Sequence, residues 1–292
     1  MKQLLILSGK GGTGKTTIAS AFIRFGKTKV FADCDVDAPN LHLVMEQTSV
    51  GKHSDYYGLG KATLDQDKCN KCGLCYEKCR FGGIELKDDN YIVNEYACEG
   101  CSVCELVCPV EAIEIKENIA GELMLYLDEK VFSTAKLKMG EGTSGLLVSD
   151  VKKQMKNAAP VTDLAIIDGS PGIGCPVIAS LNGVDMVLIV AEPSLSGISD
   201  MERIIDTAKK FQIMTLVCVN KSDTNMENTK RIREICLDMK IPFVGEIPYD
   251  KEALRAINNG YSIADVDCSS GRATREVFKN TIKILEEMGE VR

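Results

Sequence analysis

The sequence predicts an α/β protein: a doubly wound, mostly parallel sheet with a small α+β domain inserted into it. Three observations carry that expectation. Near-continuous apolar runs of strand length recur along the chain with helical patterns between them, as expected of strands covered on both faces. The first run passes directly into a glycine-rich loop and then into an amphipathic helix. Finally, eight of the thirteen cysteines fall within residues 69–108, interrupting the α/β pattern.

The chain of 292 residues is long enough for one large core or two smaller ones. Its 45% apolar and 26% charged content is ordinary for a soluble globular protein. No stretch approaches 18 consecutive apolar residues, so no transmembrane helix is expected. The N-terminus enters the strand "QLLILS" without a charged leader or cleavage site, which points to a cytoplasmic protein. A net charge of −7 argues against nucleic acid as a partner. His42 and His53 stand apart, so no histidine-rich metal site is expected. In a chain that is not secreted, the cysteines read as metal ligands before disulfides.

From the N-terminus, "LLILS" is followed by "SGKGGTGKTT" and then "IASAFIRF". Strand, glycine-rich loop and helix form the setting in which a P-loop motif is credible. Gly9, Gly11, Gly12 and Gly14 let backbone N–H groups approach phosphates, with Thr13 and Thr17 in the same loop and helix start. Lys15 is expected to reach the β- and γ-phosphates and Thr16 to ligate Mg²⁺. "KVFADCDVD" is a strand ending in acids that resembles switch I of the MinD/Mrp/ParA group, which implies Asp35 beside Mg²⁺ and the attacking water. Asp33 and Asp37 read as cap or surface carboxylates. "LAIIDGSPGIG" (164–174) is an apolar strand ending in Asp168, the second expected Mg²⁺ carboxylate, followed by a glycine-rich segment. The runs "MVLIVAE", "MTLVCVN" and "FVGEIP" complete the sheet.

The interior cysteines form two runs. "CNKCGLCYEKC" contains Cys69, Cys72, Cys75 and Cys79; "CEGCSVCELVC" contains Cys98, Cys101, Cys104 and Cys108. Each cysteine of the second run lies 29 residues after its counterpart, and "FGGIEL" and "VEAIEI" follow the respective runs. This is an internal duplication. A paired C-x2-C-x2-C-x3-C repeat resembles the bacterial ferredoxins, in which the fourth cysteine of each run ligates the other cluster. The resemblance implies one [4Fe–4S] cluster on Cys69, Cys72, Cys75 and Cys108, and another on Cys98, Cys101, Cys104 and Cys79. Pro109 follows the second run as in that pattern; Arg80 replaces the proline after the first. A structural zinc site is the bland alternative. The expected inserted domain spans 62–128, with residues 1–61 and 129–292 forming the P-loop domain. Residues 62–128 carry 14 acidic and 6 basic side chains, a surface suited to a basic redox partner.

The additional lysine in "GKGGTGKT", Lys10, resembles the deviant Walker A motif of the MinD/Mrp/ParA and nitrogenase-iron-protein group. That resemblance covers essentially the whole chain and implies an ATPase homodimer with nucleotide sandwiched between subunits, Lys10 reaching the partner's nucleotide. In the same group the asparagine of "NKSD" contacts adenine, which assigns Asn220 to the base, with Pro248, Tyr249 and Asp250 completing the pocket. ATP is expected over GTP. "KMGEGTSGLLVSDVKK" (138–153) resembles the glycine-rich segment that ferredoxin-inserted members carry. Cys34, Cys218 and Cys236 read as core residues, and Cys268 is uncommitted. Cys175 stands where the nitrogenase iron protein has a cluster ligand, although a lone buried thiol is the simpler reading. The acidic end of "KNTIKILEEMGEVR" disfavours membrane attachment.

The expected function is coupling of nucleotide state to electron transfer through two [4Fe–4S] clusters. The alternative is assembly or delivery of an iron–sulfur or iron–molybdenum-type metallocluster to a protein partner.

Overall fold

The computed structural model describes residues 1–45 and 49–290; Val291 and Arg292 of the C-terminal segment lie outside them. The chain divides into two compact units, residues 1–53, 124–135 and 145–292 in the first, residues 54–123 and 136–144 in the second. The second unit thus starts earlier than the expected 62–128 and includes a returning segment, 136–144.

The elements follow in chain order as β1 (Lys2–Leu7), α1 (Lys15–Phe25), β2 (Val30–Asp33), β3 (Lys52–Tyr57) and β4 (Lys61–Leu64). Next come α2 (Leu74–Lys78), β5 (Ile84–Lys87), β6 (Asn90–Val93), α3 (Val103–Leu106), β7 (Ile113–Lys116), β8 (Ile119–Leu127) and β9 (Val131–Leu137). The remainder is α4 (Ser144–Ala158), β10 (Leu164–Asp168), α5 (Cys175–Leu181), β11 (Met186–Ala191), α6 (Leu195–Lys210), β12 (Met214–Asn220), α7 (Met226–Asp238), β13 (Phe243–Ile247), α8 (Lys251–Asn258) and α9 (Ser269–Glu290).

Among the described residues the main sheet has the order β13-β12-β11-β1-β10-β2-β9-β8-β3. Pairing is parallel from β13 through to β9. All six residues of β11 are buried, as are Leu4–Leu7 of β1, because these central strands are covered on both faces. On one face, α1 and α9 pack together through Phe22 and Phe278, whose rings meet edge to face at 5.1 Å. The strand order reverses across β1, and its carboxyl end is where an open α/β sheet places its ligand. Cys34, Cys218 and Cys236 are buried in this unit, and burial pushes their thiols up to about 12, 12 and 11. Cys268 is buried as well. No helix among the described residues is long and apolar enough to cross a membrane.

The second unit is small and built twice. Strand β4 pairs antiparallel with β7, and β5 with β6. Each half contributes strand, cysteine loop, short helix and strand, with a 29-residue offset between β4 and β6, α2 and α3, and β5 and β7. The repetition reaches single backbone angles. Lys71, Gly73 and Gly82 adopt positive φ, and so do Gly100, Ser102 and Glu111 at the duplicate positions. The carboxylate of Asp65 accepts from the N–H of Asp67 and Lys68; the side chain of Asn94 accepts from those of Tyr96 and Ala97. At Gly100 a Cβ would stand 2.1 Å from the carbonyl oxygen of Gly60, so the second loop requires glycine there. The core consists of Ala62, Cys75, Ile84, Cys104 and Ile113, with Leu64, Tyr91, Val93, Ile115 and the cysteines Cys79, Cys98 and Cys108 packed against it.

Candidate functional site

The loop between β1 and α1 lines a cavity of about 990 Å³. Lys10, Gly11, Gly12, Thr13, Gly14, Lys15, Thr16, Thr17 and Asp35 all face it. At Gly11 and Gly12 the place of a Cβ is open space, and Gly12 and Gly14 have φ of +79° and +93°. The hydroxyl of Thr13 is buried without a protein partner. An open cradle of backbone groups with an orphaned donor at its base fits a polyphosphate. Gly9 serves packing instead: a Cβ there would lie 2.1 Å from that of Asp200.

Lys15 is the electrostatic centre. Its ammonium donates to the Asp168 carboxylate at 2.5 Å and stands 3.9 Å from that of Asp35. The Thr16 hydroxyl donates to the other Asp168 oxygen at 2.6 Å. Burial opposes the charge on Lys15, but Asp168, Asp33 and Asp35 together raise its pKa above the ordinary value. Burial and the charge of Asp168 push Asp33 up to about 7 despite Lys15. Asp35 is pushed up to about 6, mainly by burial. Thr16, Asp35 and Asp168 form an oxygen-rich set of the kind a hard cation takes.

Asp33 does more than cap a strand. It accepts from the N–H groups of Asp35, Asn40 and Leu41, and so shapes the whole turn that carries Asp35. Ser170 donates to the Cys34 carbonyl at 2.6 Å, tying the segment after β10 to the segment after β2. The N–H of Gly172 donates to Ser8 O, bringing the same segment to the start of the P-loop. The sequence offered no signal for Ser170, because its partner is a backbone carbonyl far along the chain.

Of the residues expected at the base, Asn220 ends β12, and Pro248, Tyr249 and Asp250 follow β13. Asn220 supports the P-loop from below: its amide donates to the Thr13 carbonyl at 2.6 Å. At Gly14 a Cβ would meet that amide at 2.2 Å. Pro248, Tyr249 and Asp250 are not among the residues lining the cavity; its wall there is Leu254, Ile257 and Asn258 of α8. Asp250 caps that helix and accepts from Ser269 and Ser270, bonds that draw its carboxyl down to about 2. Lys10 lies on its own chain, 3.0 Å from the Glu192 carboxylate and donating to Ser194 and Ser196.

Helix α5 follows the segment that carries Ser170; α4 comes close to its start and holds its end. At its start, a Cβ on Gly145 would stand 3.2 Å from Cys175 O. At its end, Lys152 donates to the carbonyls of Ala179, Ser180 and Asn182. Burial lowers the Lys152 pKa to about 8, so three carbonyls at a helix C-terminus hold a costly cation. Lys152→Met is expected to destabilise the first unit by about 2–3 kcal/mol by orphaning those carbonyls, read as a urea midpoint shift.

In the second unit, Cys79, Cys98, Cys101 and Cys104 line one apolar cavity with Phe81, Ile84 and Val103. Burial raises the thiol of Cys75, with Cys69 and Cys72 adding to it, and likewise that of Cys104, with Cys98 and Cys101 adding. The N–H of Gly83 donates to the sulfur of Cys79 at 3.2 Å, and that of Ala112 to the sulfur of Cys108 at 3.2 Å, again 29 residues apart. Among the described residues no three His, Cys, Asp or Glu side chains are close enough to ligate a single metal ion as they stand. Thiols around an apolar cavity, already accepting backbone N–H bonds, are a donor set that fits a thiolate-bound iron–sulfur group.

A phosphate cradle at the carboxyl end of a parallel sheet, with a buried lysine and paired acids, defines a P-loop nucleotide-binding protein. Residues 4–263 match the CobQ/CobB/MinD/ParA nucleotide binding domain, and the chain belongs to that family, whose MinD/ParA members are ATPases. An uncharacterized protein of Methanocaldococcus jannaschii is 30% identical over 280 residues, covering 95% of each chain. The septum site-determining protein MinD of Pyrococcus horikoshii, solved with Mg-ADP, shares the fold at a TM-score of 0.58 and 15% identity, over 97% of each chain. An uncharacterized ferredoxin of M. jannaschii is 34% identical over 84 residues, 28% of this chain and 56% of that one.

Proposed function

We propose that this ATPase couples its nucleotide state to electron transfer through two [4Fe–4S] clusters held in the duplicated cysteine unit. The observation that carries the reading is the path of the chain. Residues 136–144 of the cysteine unit run straight into α4, whose Lys152 holds the C-terminal carbonyls of the helix following the Ser170 segment. In this reading the covalent link through residues 136–144 would carry a change at the nucleotide toward the cysteines.

In this reading Gly11, Gly12, Gly14 and Lys15 hold the triphosphate, while Thr16, Asp35 and Asp168 hold Mg²⁺. Lys15 exchanges its bond to Asp168 for the phosphates when nucleotide enters. Asp35 orients the attacking water, and the bond from Ser170 to Cys34 O keeps the two phosphate-sensing segments in step. Leu254, Ile257 and Asn258 face the base, with Asn220, Pro248, Tyr249 and Asp250 supporting the loops around it. Lys10 leaves Glu192 to reach the nucleotide of a partner subunit. When bound, two [4Fe–4S] clusters would serve as low-potential one-electron carriers. The cysteines hold them in two sets, Cys69, Cys72, Cys75 and Cys108, and Cys79, Cys98, Cys101 and Cys104. The acceptor is a protein partner attracted by the acidic surface of the unit.

Lys10→Ala is expected to abolish nucleotide-dependent dimerisation in analytical ultracentrifugation while leaving MgATP binding to the monomer in place. The decisive test is anaerobic purification with iron and sulfide analysis, then EPR after reduction with and without MgATP. Two clusters per chain whose spectra or potentials respond to MgATP support the reading. Two clusters indifferent to nucleotide remove the coupling, and zinc without sulfide removes the clusters. Delivery of a metallocluster is the second reading, favoured by the exposed Cys175 next to Pro176 in the cavity wall. It requires iron that transfers to an apo acceptor and is retained in Cys175→Ser.

A further inference from the structure

The two halves of the cysteine unit differ in charge at several positions; Lys68, Lys71, Lys78 and Arg80 also lack charged duplicates but are exposed, whereas Lys61 is held largely out of solvent. Lys61, on β4, donates from its ammonium to the carbonyl of Cys98 at 2.9 Å. The same ammonium stands 3.2 Å from the Glu141 carboxylate, and the two side chains are only 15% and 18% exposed. The next residue, Ala62, donates its N–H to the sulfur of Cys98 at 3.5 Å. Twenty-nine residues on, the duplicate of Lys61 is Asn90, which has no charge and whose amide turns to Asp88 O. One cysteine set therefore has a shielded cation against its loop, and its twin lacks the counterpart.

Glu141 belongs to the returning segment 136–144. That segment is seated in the unit by Tyr56, whose hydroxyl donates to Thr143, and by Tyr96, whose ring lies against Gly140. It is also the segment that continues into α4.

We propose that Lys61 sets the reduction potential of the group held by Cys79, Cys98, Cys101 and Cys104, and that Glu141 regulates it by masking the lysine charge. The inference rests on the reading of these cysteines as iron–sulfur ligands. Reduction adds one electron, and hence one negative charge, to a thiolate-ligated group. A nearby cation favours the reduced form and raises the potential; a carboxylate on that cation offsets the gain. Poor exposure keeps solvent and salt from screening either effect. Withdrawal of Glu141 with its segment would unmask Lys61 and make this one set the better electron acceptor, leaving the other unchanged.

The test is a redox titration of the full-length, cluster-loaded protein, followed by EPR, with dithionite as the electron source. Lys61→Gln is expected to lower one of the two midpoint potentials and leave the other in place. Lys61→Arg keeps the charge and is expected to leave both near their wild-type values, which a purely packing role would not explain. Glu141→Gln is expected to raise the same midpoint that Lys61→Gln lowers, and to lose its response to MgATP. Should Lys61→Gln fail to load iron, the upward shift in Glu141→Gln decides alone. A shift of both midpoints equally, or of neither, overturns the inference while leaving the two-cluster reading intact. Wild-type protein without iron and sulfide overturns that underlying reading instead.

Discussion

Replacing Lys15 with methionine is expected to lower ATP turnover by about 10²–10³-fold, the usual loss when a preorganised donor to developing charge is removed. The same substitution is expected to destabilise the apoprotein by about 3–5 kcal/mol, because it leaves buried acids without their cation. Asp168 and Asp33 are fully buried and face each other across β10 and β2. Asp33 already stands near 7 and Asp35 near 6 with Lys15 present, and the lysine lowers both. Without it their folded-state values rise further above the ordinary 3.8. A carboxyl whose pKa is raised on folding contributes stability at low pH that is lost as pH rises through the folded value. Below about pH 6 these acids are protonated in both folded proteins, so the variant's deficit is expected to be larger at pH 8 and to shrink as pH falls toward about 6, staying level below that. Urea midpoints for both proteins at pH 8 and pH 5 check this; a pH-independent deficit would show that the acids are not what Lys15 restrains.

Removal of iron is expected to unfold the second unit and spare the first. The core of the second unit contains two isoleucines, one alanine and two of the proposed ligands, Cys75 and Cys104. Burying an isoleucine is worth about 1.5–3 kcal/mol, whereas ordering each backbone residue costs about 1–2 kcal/mol. Leu64, Tyr91, Val93 and Ile115 add only partly buried contacts, so on the proposed reading much of what holds residues 54–123 in place falls to the clusters, as in other small metal-dependent domains. Hydrogen exchange on chelated, oxidised protein is expected to show protection lost across 54–123 and 136–144. Protection in β1, β10 and β11 should persist, and nucleotide should still bind. Cys104→Ala is expected to lose about half of the iron, since only one set loses a ligand. Full protection without iron would mean that the unit does not depend on metal.

The two kinds of prediction draw on different sources. The P-loop and the cysteine runs were legible because each is a short, contiguous pattern whose chemistry resides in spacing. Gly12, Gly14, Lys15 and Thr16 are adjacent in the chain, so one loop delivers them together. The parallel sheet was legible because strands buried on both faces must be apolar throughout, as β11 and β1 are. The rest of the cavity wall was not legible in this way. Asn220 donates to the Thr13 carbonyl, and Leu254, Ile257 and Asn258 reach the cavity from a helix with no motif. Glu141 lies outside the expected 62–128 insertion, in a segment whose place in the second unit follows from three-dimensional contacts.

The sequence alone determined the fold class, the phosphate loop, the acids at the strand ends and the two sets of cysteines. These are local properties: backbone conformation, periodicity and residue spacing carry them through any tertiary arrangement. Only the tertiary structure decided the partners of the buried charges. Lys15 against Asp168, Lys152 beneath α5, and Lys61 between Cys98 and Glu141 each join residues from distant parts of the chain. Their energies depend on distance and on the exclusion of water, and neither is written in sequence order.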